Sequence, residues 1–427
     1  MIERIQETRF DNGLVLLTDR MPGVRSATLG FFFRSGARHE PRELHGISHF
    51  IEHAVFKGTE NRSTLEIAIE QDRLGGNLDA FTTHEEMGFA IKVIDDEIEK
   101  AFGLIADILT HPRFDDKDLK AEQRVIIEEM KMIDDSPEEY LGEIFNAAYF
   151  PGHPLGMPIA GTPKTVRSFS SDITRRYHEA TNTCGNLVIV AAGNVEHKQI
   201  LDLARSTGFS RLSVSGGRLE AELRTTTPIP AAPIILKQRS DLEQAHFVIA
   251  TPFTAGMDER RYAADMLANI IGGGTSSRLW QTVREDRGLA YSVGASGVMY
   301  NDCGLFSIFA ASSPEHVEEV VKLSIDEMRS IVKDGVREDE LELSKQQARA
   351  SILLSLEDSA ARAAALAQSE ITYGRQIPVE ETLARVEAVT TDEIRVLAIQ
   401  YFETEAVAFA ALGNLEGIAV DRSDLAM

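Results

Sequence analysis

Two stretches of this sequence align without a gap: SSDITRRYHEATNTCGNLVIVAAGNV at residues 170–195 and TTDEIRVLAIQYFETEAVAFAALGNL at residues 390–415. Each begins with a helix-capping Ser or Thr and a helical pattern, then continues into an apolar strand. Gly193 and Gly413 lie 220 residues apart, and the strand-like runs that begin at Ala27 and Ala245 lie 218 residues apart. A chance likeness between two helix–strand segments would not give nearly the same offset twice. The sequence therefore indicates an internal duplication.

The duplication divides the chain into two halves that are joined by a linker. Residues 210–232 carry Gly-Gly, a run of threonines and prolines without a sustained periodicity, which is typical of a linker. We therefore predict an N-terminal domain at residues 1–212, a linker at 213–231 and a C-terminal domain at 232–427.

Helical and extended patterns alternate within each half, and this alternation decides the fold class. Helical patterns begin at Asp95, Asp115 and Pro314, and an Ala-rich helical stretch lies around residues 349–368. Strand patterns occur at GFAIKVI, NLVIVAA, AHFVIAT and GLFSIFAA. The mixture predicts an α+β fold of two duplicated domains, each a mainly antiparallel sheet with helices packed on one face.

The overall composition is that of a soluble globular chain and excludes several classes of protein. The 427 residues contain 44 Lys and Arg against 67 Asp and Glu, and the formal charge of −23 disfavours nucleic-acid binding. The two cysteines, Cys184 and Cys303, are too few for a disulfide framework. Neither a secretory signal nor an apolar run long enough to cross a membrane is present. We therefore predict a cytoplasmic protein without nucleic-acid or membrane partners.

The pentad His49-Phe50-Ile51-Glu52-His53, within GISHFIEHAVFKGT, has the order H-x-x-E-H. On a helix, His49 and His53 lie one turn apart on the same face, where two imidazoles can share one zinc ion. Glu52 projects from the same side, and this order of residues is the inverzincin signature. The alternative is an amphipathic helix that carries two histidines on a solvent-facing side.

The helical pattern that follows residue 115 offers a third zinc ligand, which a catalytic site normally requires. It has an apolar stripe of Leu119, Ile126, Met130 and Ile133. Glu122 and Glu129 fall on this stripe, where a carboxylate is costly unless it is paired or binds metal. Glu129 is therefore a candidate ligand, and Glu122 is a candidate partner for a ligand histidine. The alternative is that both face water, which is the favoured interpretation for Glu128.

The pentad, followed by a glutamate 76 residues after its second histidine, resembles the pitrilysin family of zinc peptidases, which includes the mitochondrial processing peptidase and bacterial relatives. The resemblance spans essentially the whole chain and implies the processing-peptidase/LuxS-like metallohydrolase fold. It implies one Zn²⁺ per chain, bound by His49, His53 and Glu129. It also implies that Glu52 is the general base and that Glu122 supports a ligand histidine.

Two further regions resemble the parts of this family that contact substrate. GGNLDAFTTHEEMGF resembles the family's edge-strand region, here Leu78, Asp79, Ala80, Phe81, Thr82 and Thr83. Asp79 is a departure, because many relatives have Asn there. GGGTSSRLWQTVREDRGLAYSVGA resembles the C-domain motif whose arginine and tyrosine contact substrate, here Arg284 and Tyr291. Both can donate hydrogen bonds to a peptide carbonyl, although without the resemblance a surface ion pair and ordinary packing would explain them.

The second half lacks the metal pentad, because an offset of 218 places Leu267, Ile270 and Ile271 at the corresponding positions. We therefore expect an inactive C-terminal repeat and a zinc site in the first half alone.

The resemblance implies a zinc metalloendopeptidase that cleaves short or unfolded peptides in an enclosed chamber. The negative charge favours extended, basic peptide substrates. Larger relatives place the zinc motif and the Arg–Tyr motif in a chain of double length, so this chain is expected to form a homodimer with a shared active site. The alternative is a non-catalytic scaffold or core-type subunit of a larger complex, although such subunits typically lack an intact H-x-x-E-H. A maturation protease dedicated to one peptide would need the same chemistry and stays open.

Overall fold

A computed structural model describes residues 5–76, 78–209, 212 and 226–427. The chain forms two compact units. The first comprises residues 1–132, 157–226 and 353–377, and the second comprises 133–156, 227–352 and 378–427. Most of the predicted linker lies outside the described residues, so the predicted domain boundaries stay a prediction.

Strands and helices alternate along the chain as the sequence predicts. The described strands are β1 (Ile5–Arg9), β2 (Val15–Arg20), β3 (Ser26–Phe33), β4 (Leu78–Thr82), β5 (Met87–Ile94), β6 (Leu187–Gly193), β7 (Ile234–Gln238), β8 (Ala245–Phe253), β9 (Ala290–Met299), β10 (Gly304–Ser312) and β11 (Ala408–Gly413). The described helices are α1 (Ile47–Ala54), α2 (Thr64–Leu74), α3 (Ile98–Thr110), α4 (Asp116–Asp135), α5 (Pro137–Tyr149), α6 (Pro163–Val166), α7 (Ser171–Thr181), α8 (His197–Ser206), α9 (Arg261–Gly272), α10 (Val317–Asp334), α11 (Glu338–Ser355), α12 (Ser359–Tyr373), α13 (Val379–Ala388) and α14 (Thr391–Tyr401).

The two sheets repeat one topology, which confirms the duplicated α+β fold. In the described residues, the strand orders are β1-β2-β6-β3-β5-β4 in the first unit and β7-β11-β8-β10-β9 in the second. β2 pairs with β6 in parallel, as β7 does with β11, and the other neighbours are antiparallel. The aligned segments that indicated the duplication form α7 with β6 and α14 with β11, and each helix is capped by the predicted side chain, Ser170 or Thr390.

One face of each sheet is covered by helices of the same half, as predicted, but the opposite face is covered by a helix from the other half. α5 belongs to the first half of the sequence, yet its Leu141, Phe145 and Tyr149 pack on the second sheet. α12 belongs to the second half, yet its Leu366 packs with Val15 and other residues of the first sheet. The sequence analysis did not predict this exchange of helices.

The Ala-rich stretch around residues 349–368 forms two helices, so its interpretation as one helical stretch was wrong. α11 ends at Ser355, and α12 begins after Asp358, whose side chain accepts hydrogen bonds from the backbone N–H groups of Ala360 and Ala361. An aspartate in this capping role starts a new helix and stops the previous one from continuing. No helix in the described parts of the chain is long and apolar enough to cross a membrane.

We predict that Leu366→Ala destabilises the first unit, although Leu366 lies in the second half of the sequence. Leu366 is 3% exposed on the exchanged helix, so its truncation should lower the free energy of unfolding by about 2–5 kcal/mol. Leu354→Ala is the matched control, because Leu354 is 67% exposed and its truncation should change stability by less than about 0.5 kcal/mol. Urea unfolding followed by circular dichroism measures both, and equal effects would contradict the exchange.

Candidate metal centre

Helix α1 is fixed at its start and presents both histidines of the pentad on one side. Gly46 precedes the helix at a φ of 94°, and a Cβ there would lie 2.6 Å from the carbonyl oxygen of Ala160. The carboxylate of Glu40 accepts hydrogen bonds of 2.7 Å from the backbone N–H groups of Gly46 and Ser48. The opposite side of the helix is anchored in the core by Ile47, Phe50, Ile51 and Ala54. The rings of the two histidines therefore lie next to each other, with 4.6 Å between their centroids.

Helix α4 brings Glu129 to these two rings. The Nε2 atom of His49 lies 3.5 Å from Oε1 of Glu129, and the Nε2 atom of His53 lies 3.6 Å from Oε2. The potential ligand atoms of the three side chains all lie within 4.8 Å of one another. The hydrogen-bonded His49 lowers the pKa of Glu129, so this carboxyl group favours its charged form.

The three side chains fit a zinc ion. Two ligands at about 2.0–2.1 Å from a tetrahedral zinc ion are separated by about 3.3–3.4 Å, close to the observed distances between the imidazole nitrogens and the carboxylate. Two imidazoles and one carboxylate are the ligand set of a catalytic zinc, which keeps its fourth position for water. His49, His53 and Glu129 could therefore hold this ion, and the described residues contain no other such group of three side chains.

Glu122 orients His53, and Lys57 in turn holds Glu122. The Nδ1 atom of His53 lies 2.9 Å from Oε1 of Glu122, and Nζ of Lys57 donates to Oε2 at 2.7 Å. Burial opposes the ionised form of Glu122, but the hydrogen bonds from His53 and Lys57 outweigh it and lower the pKa of this carboxyl. Lys57 was missed by the sequence analysis, although it stands four residues after His53 and ends the turn that continues α1.

The general-base candidate, Glu52, is held by the strand that was predicted to bind substrate. Thr82 donates a hydrogen bond of 2.7 Å from its hydroxyl to Oε2 of Glu52. β4, which contains Thr82, lies at an edge of the described first sheet, next to β5. The predicted substrate strand, residues 78–83, thus coincides with an edge strand, and Thr83 follows its last residue. The contact between Glu52 and Thr82 was not foreseen.

The second unit brings Arg284 and Tyr291 together. Trp280 and Arg284 lie on a π-helical turn, and the guanidinium carbon lies 4.0 Å from the Trp280 ring centroid and 4.4 Å from that of Tyr291. Nη1 of Arg284 also donates to the backbone carbonyl of Tyr291 at 3.0 Å. The Tyr291 side chain is exposed, so its hydroxyl is accessible to a ligand. The sequence analysis missed Trp280. It stands four residues before Arg284, and this spacing could have indicated that the two side chains are neighbours on a helical turn.

The repeat of the metal helix, α9, has an apolar face in place of the pentad. Leu267, Ile270 and Ile271, at the positions that correspond to the pentad, are buried in the core of the second unit. Buried apolar side chains thus stand where the first unit has the pentad.

A pair of imidazoles with a carboxylate and a neighbouring glutamate is typical of a metal-dependent hydrolase. Residues 15–163 match the family model described as Insulinase (Peptidase family M16), and residues 168–348 match the model described as Peptidase M16 inactive domain. The chain belongs to the M16 family of peptidases, which confirms the resemblance to pitrilysin-type zinc peptidases.

Bacterial relatives match nearly the whole chain. It is 35% identical over 403 residues to an uncharacterized zinc protease of Streptomyces coelicolor, a match that covers 93% of this chain and 87% of that protein. It is 34% identical over 415 residues to the uncharacterized zinc protease YmxG of Bacillus subtilis, covering 96% and 99% of the two chains. Both relatives are named as zinc proteases.

Solved structures share the fold. A protease from Helicobacter pylori matches with a TM-score of 0.88 at 19% identity, over 96% of this chain and 100% of that chain. A peptidase M16 inactive domain from Pseudomonas fluorescens matches with a TM-score of 0.88 at 18% identity, over 96% and 98%. At these identities the likeness shows the two-domain fold alone.

We predict that Glu122→Gln weakens zinc binding by about 10- to 100-fold, because the substitution removes the charged partner that orients His53. Glu128→Gln is the matched control on the same helix, since the Glu128 side chain is 68% exposed and pairs with Lys131. Competition for zinc with a chromophoric chelator measures both affinities. Equal affinities of folded Glu122→Gln and the control would refute the supporting role of Glu122.

Proposed function

We propose that the protein is a zinc-dependent endopeptidase that cleaves short or unfolded peptides. The observation that carries this proposal is the convergence of His49, His53 and Glu129 beside Glu52, which is itself hydrogen-bonded to an edge strand. Zinc, when bound, supplies a Lewis acid that lowers the pKa of water and polarises a carbonyl group. The names of the relatives, zinc proteases, agree with this chemistry.

The residues of the chain divide the work of hydrolysis among them. Glu122 and Lys57 orient the His53 ring, while Thr82 holds one oxygen of Glu52. The other oxygen, Oε1, then takes a proton from the attacking water and passes it to the nitrogen of the leaving amine. The contact with Thr82 therefore keeps Glu52 in one orientation for both proton transfers.

We predict that Glu52→Gln keeps about one zinc per chain but lowers the kcat for peptide cleavage by about 10²- to 10⁴-fold, because the amide cannot accept the proton. Metal analysis and cleavage of an unfolded, reduced and alkylated protein measure the two properties. Glu128→Gln, which makes the same change on an exposed side chain, should keep both. Undiminished cleavage by Glu52→Gln would contradict the assignment of Glu52 as the general base.

The substrate is proposed to bind in an extended form along β4. An edge strand offers unpaired backbone groups, so a peptide can add to the sheet with little dependence on its sequence. A folded protein does not present such a strand, and this supports a preference for unfolded peptides. The enclosed chamber is proposed on the family resemblance alone. The formal charge of −23 and the exposed Asp79 favour basic peptides.

Arg284 and Tyr291 are proposed to contact the carbonyl oxygen of the substrate. Arg284 is held between two aromatic rings and uses one N–H group to bind the Tyr291 backbone. A guanidinium has further N–H donors, and the exposed Tyr291 hydroxyl is another donor. These donors stabilise the negative charge that develops on the carbonyl oxygen during attack.

The active unit is proposed to be a homodimer in which the metal centre of one chain works with Arg284 and Tyr291 of its partner. The resemblance supports this arrangement, because larger relatives carry the same two motifs at opposite ends of a double-length chain. In a dimer with two-fold symmetry, both active sites would be formed in the same way.

We predict that mixing two inactive variants, Glu52→Gln and Arg284→Ala, restores about one quarter of wild-type activity. With random exchange of subunits half of the dimers are mixed, and each mixed dimer has one intact site. Arg287→Ala is the control for loss of a surface arginine, because Arg287 is 48% exposed and pairs with Glu319. Subunit exchange must be verified independently. If exchange occurs and the mixture recovers no activity, the shared site is contradicted.

The alternative function is a non-catalytic scaffold in the cytoplasm. It has less support, since the three residues that the resemblance assigns to zinc binding are grouped in the described residues, and Glu52 is present on the helix of the two histidines. A zinc-loaded wild-type protein that cleaves no unfolded peptide would favour the scaffold.

A further inference from the structure

The start of the metal helix α1 is held by a side chain from outside the helix. Its N-cap residue, Gly46, has no side chain, so the helix lacks a hydroxyl or carboxylate of its own at the cap position. Glu40 takes this part from six residues upstream: Oε2 accepts from the N–H group of Gly46 and Oε1 accepts from that of Ser48, both at 2.7 Å. His49 directly follows Ser48. The position of this candidate zinc ligand therefore depends on where the Glu40 carboxylate lies.

The Glu40 carboxylate is buried together with the ring of His45. The side chains are 0% and 1% exposed, and Nδ1 of His45 lies 3.1 Å from Oε2 of Glu40. A buried carboxylate is costly unless a cation and hydrogen bonds compensate it. The two backbone N–H groups supply hydrogen bonds to Glu40, and His45 is in the place of the cation.

Both nitrogens of the His45 ring face oxygen atoms. Nε2 lies 2.6 Å from the backbone carbonyl oxygen of Pro158, which can only accept, so Nε2 carries a hydrogen. Nδ1 faces Glu40, whose oxygens already accept two backbone N–H groups at the positive end of a helix dipole. These contacts favour the ionised carboxylate, which can only accept as well. The hydrogen between the two side chains therefore belongs to Nδ1, and the ring is an imidazolium.

The neighbouring titratable groups leave the compensation of Glu40 to this imidazolium. Burial is the largest influence on His84 and lowers its pKa, so the His84 ring favours its neutral form. Burial and the charge of Glu40 raise the pKa of Tyr177, which stays a neutral phenol. Arg38 forms an ion pair of 2.5 Å with Glu85. The imidazolium is thus the cation that lies against Glu40.

His45 also ties the start of the helix to the loop of residues 157–161. The two backbones approach closely, because a Cβ on Gly161 would lie 2.5 Å from the carbonyl oxygen of His45, and a Cβ on Gly46 would lie 2.6 Å from that of Ala160. Neither backbone has room to shift toward the other. The ring is therefore fixed on one side by the carbonyl of Pro158 in this loop and on the other by the carboxylate.

We propose that Glu40 and His45 are positioning residues of the metal centre, and that they act as a buried carboxylate–imidazolium pair that fixes the start of α1. The carboxylate holds the first turn of the helix, and the imidazolium holds the carboxylate. Through the helix, the pair places His49 and Glu52, where a displacement of about 1 Å can lower the rate of a reaction about 10²-fold. The effect on hydrolysis rests on the proposed function, whereas the ion pair and its effect on zinc binding do not.

The imidazolium is tested by NMR spectroscopy of the zinc-loaded wild-type protein with ¹⁵N-labelled histidine at about pH 7. The His45 ring, assigned through its bonds to its own backbone, should show both nitrogens at the chemical shifts of protonated nitrogens. His84 is the internal reference and should show one protonated and one unprotonated nitrogen. An unprotonated Nδ1 on His45 would mean a neutral pair with the proton on Glu40, and it would overturn the proposal.

Zinc affinity, measured by competition with a chromophoric chelator, tests the positioning role. His45→Gln leaves the carboxylate without its cation, and Glu40→Gln places an amide N–H group against a backbone N–H group. Each should weaken zinc binding by about 10-fold or more. Asp19→Asn is the matched control, because Asp19 is a buried carboxylate of the same unit that pairs with Arg362. It should lower stability but leave zinc affinity within about two-fold, and equal weakening by the folded control would overturn the positioning role.

The double variant Glu40→Gln/His45→Gln distinguishes a coupled pair from two independent contacts. Removal of one member leaves the other without its partner in the interior, whereas removal of both leaves no uncompensated charge. The double variant should therefore bind zinc no more weakly than the weaker of the two single variants. Losses of affinity that multiply in the double variant would overturn the coupling.

Peptide cleavage by the zinc-loaded variants tests the consequence for hydrolysis. In folded His45→Gln the kcat should fall about 10-fold or more, while the KM stays within about two-fold, because the edge strand β4 keeps its pairing with β5. A higher KM with an unchanged kcat would overturn the effect on hydrolysis. If the wild-type protein cleaves no peptide, the proposed function fails, and the NMR and zinc measurements still decide whether the pair positions the metal helix.

Discussion

The fold depends on a reciprocal exchange of helices between the two halves of the sequence. β2 is buried along nearly its whole length, with Leu16 and the preceding Leu14 in one core and Val15 and Leu17 in another. A strand that is buried on both faces needs a layer of helices on each side. The second layer of the first sheet comes from α12, and that of the second sheet comes from α5. Neither half of the chain therefore contains all of the apolar surface that completes its own sheet.

Polar contacts fix the exchanged helix α12 in its place. Glu370, which is 1% exposed, accepts hydrogen bonds from Arg9 of β1 and from Arg34, the residue after β3. The Ser359 hydroxyl lies 2.8 Å from that of Thr28 at the start of the helix. A buried carboxylate without these arginines would be costly, so the ion pairs select one position for the helix on the sheet. The apolar contacts of α12 with the first sheet stabilise its packing, and the ion pairs of Glu370 determine its position along the sheet.

The features that the sequence predicted are those that local periodicity determines. The spacing of His49 and His53 matches the helical repeat, and so does that of Glu122 and Glu129. The sequence alone therefore predicts that each pair lies on one face of its helix. The exchange of α5 and α12 could not, because it pairs segments far apart in sequence that have no pattern in common. Lys57 and Thr82 were missed for a related reason: each meets its partner through a turn or a neighbouring strand, whose path depends on tertiary packing. The break at Asp358 was marked by a capping residue that the Ala-rich composition obscured.

The candidate metal centre is built around an excess of negative charge. Glu52, Glu122 and Glu129 bring three carboxylates to the two histidines, and the permanent cation Lys57 pairs with Glu122. Burial opposes the protonated form of His53, but the hydrogen bond to Glu122 and the charges of Glu129 and Glu52 outweigh it and raise the pKa of His53. The same surroundings that favour a proton on this ring favour a divalent cation bound to it, because two positive charges balance the carboxylates that Lys57 leaves uncompensated. In the second repeat the corresponding positions, Leu267, Ile270 and Ile271, are apolar and buried. The two copies of this helix thus differ in what their equivalent positions offer: one presents imidazoles and a carboxylate that suit a divalent cation, and the other presents side chains that suit only an apolar core.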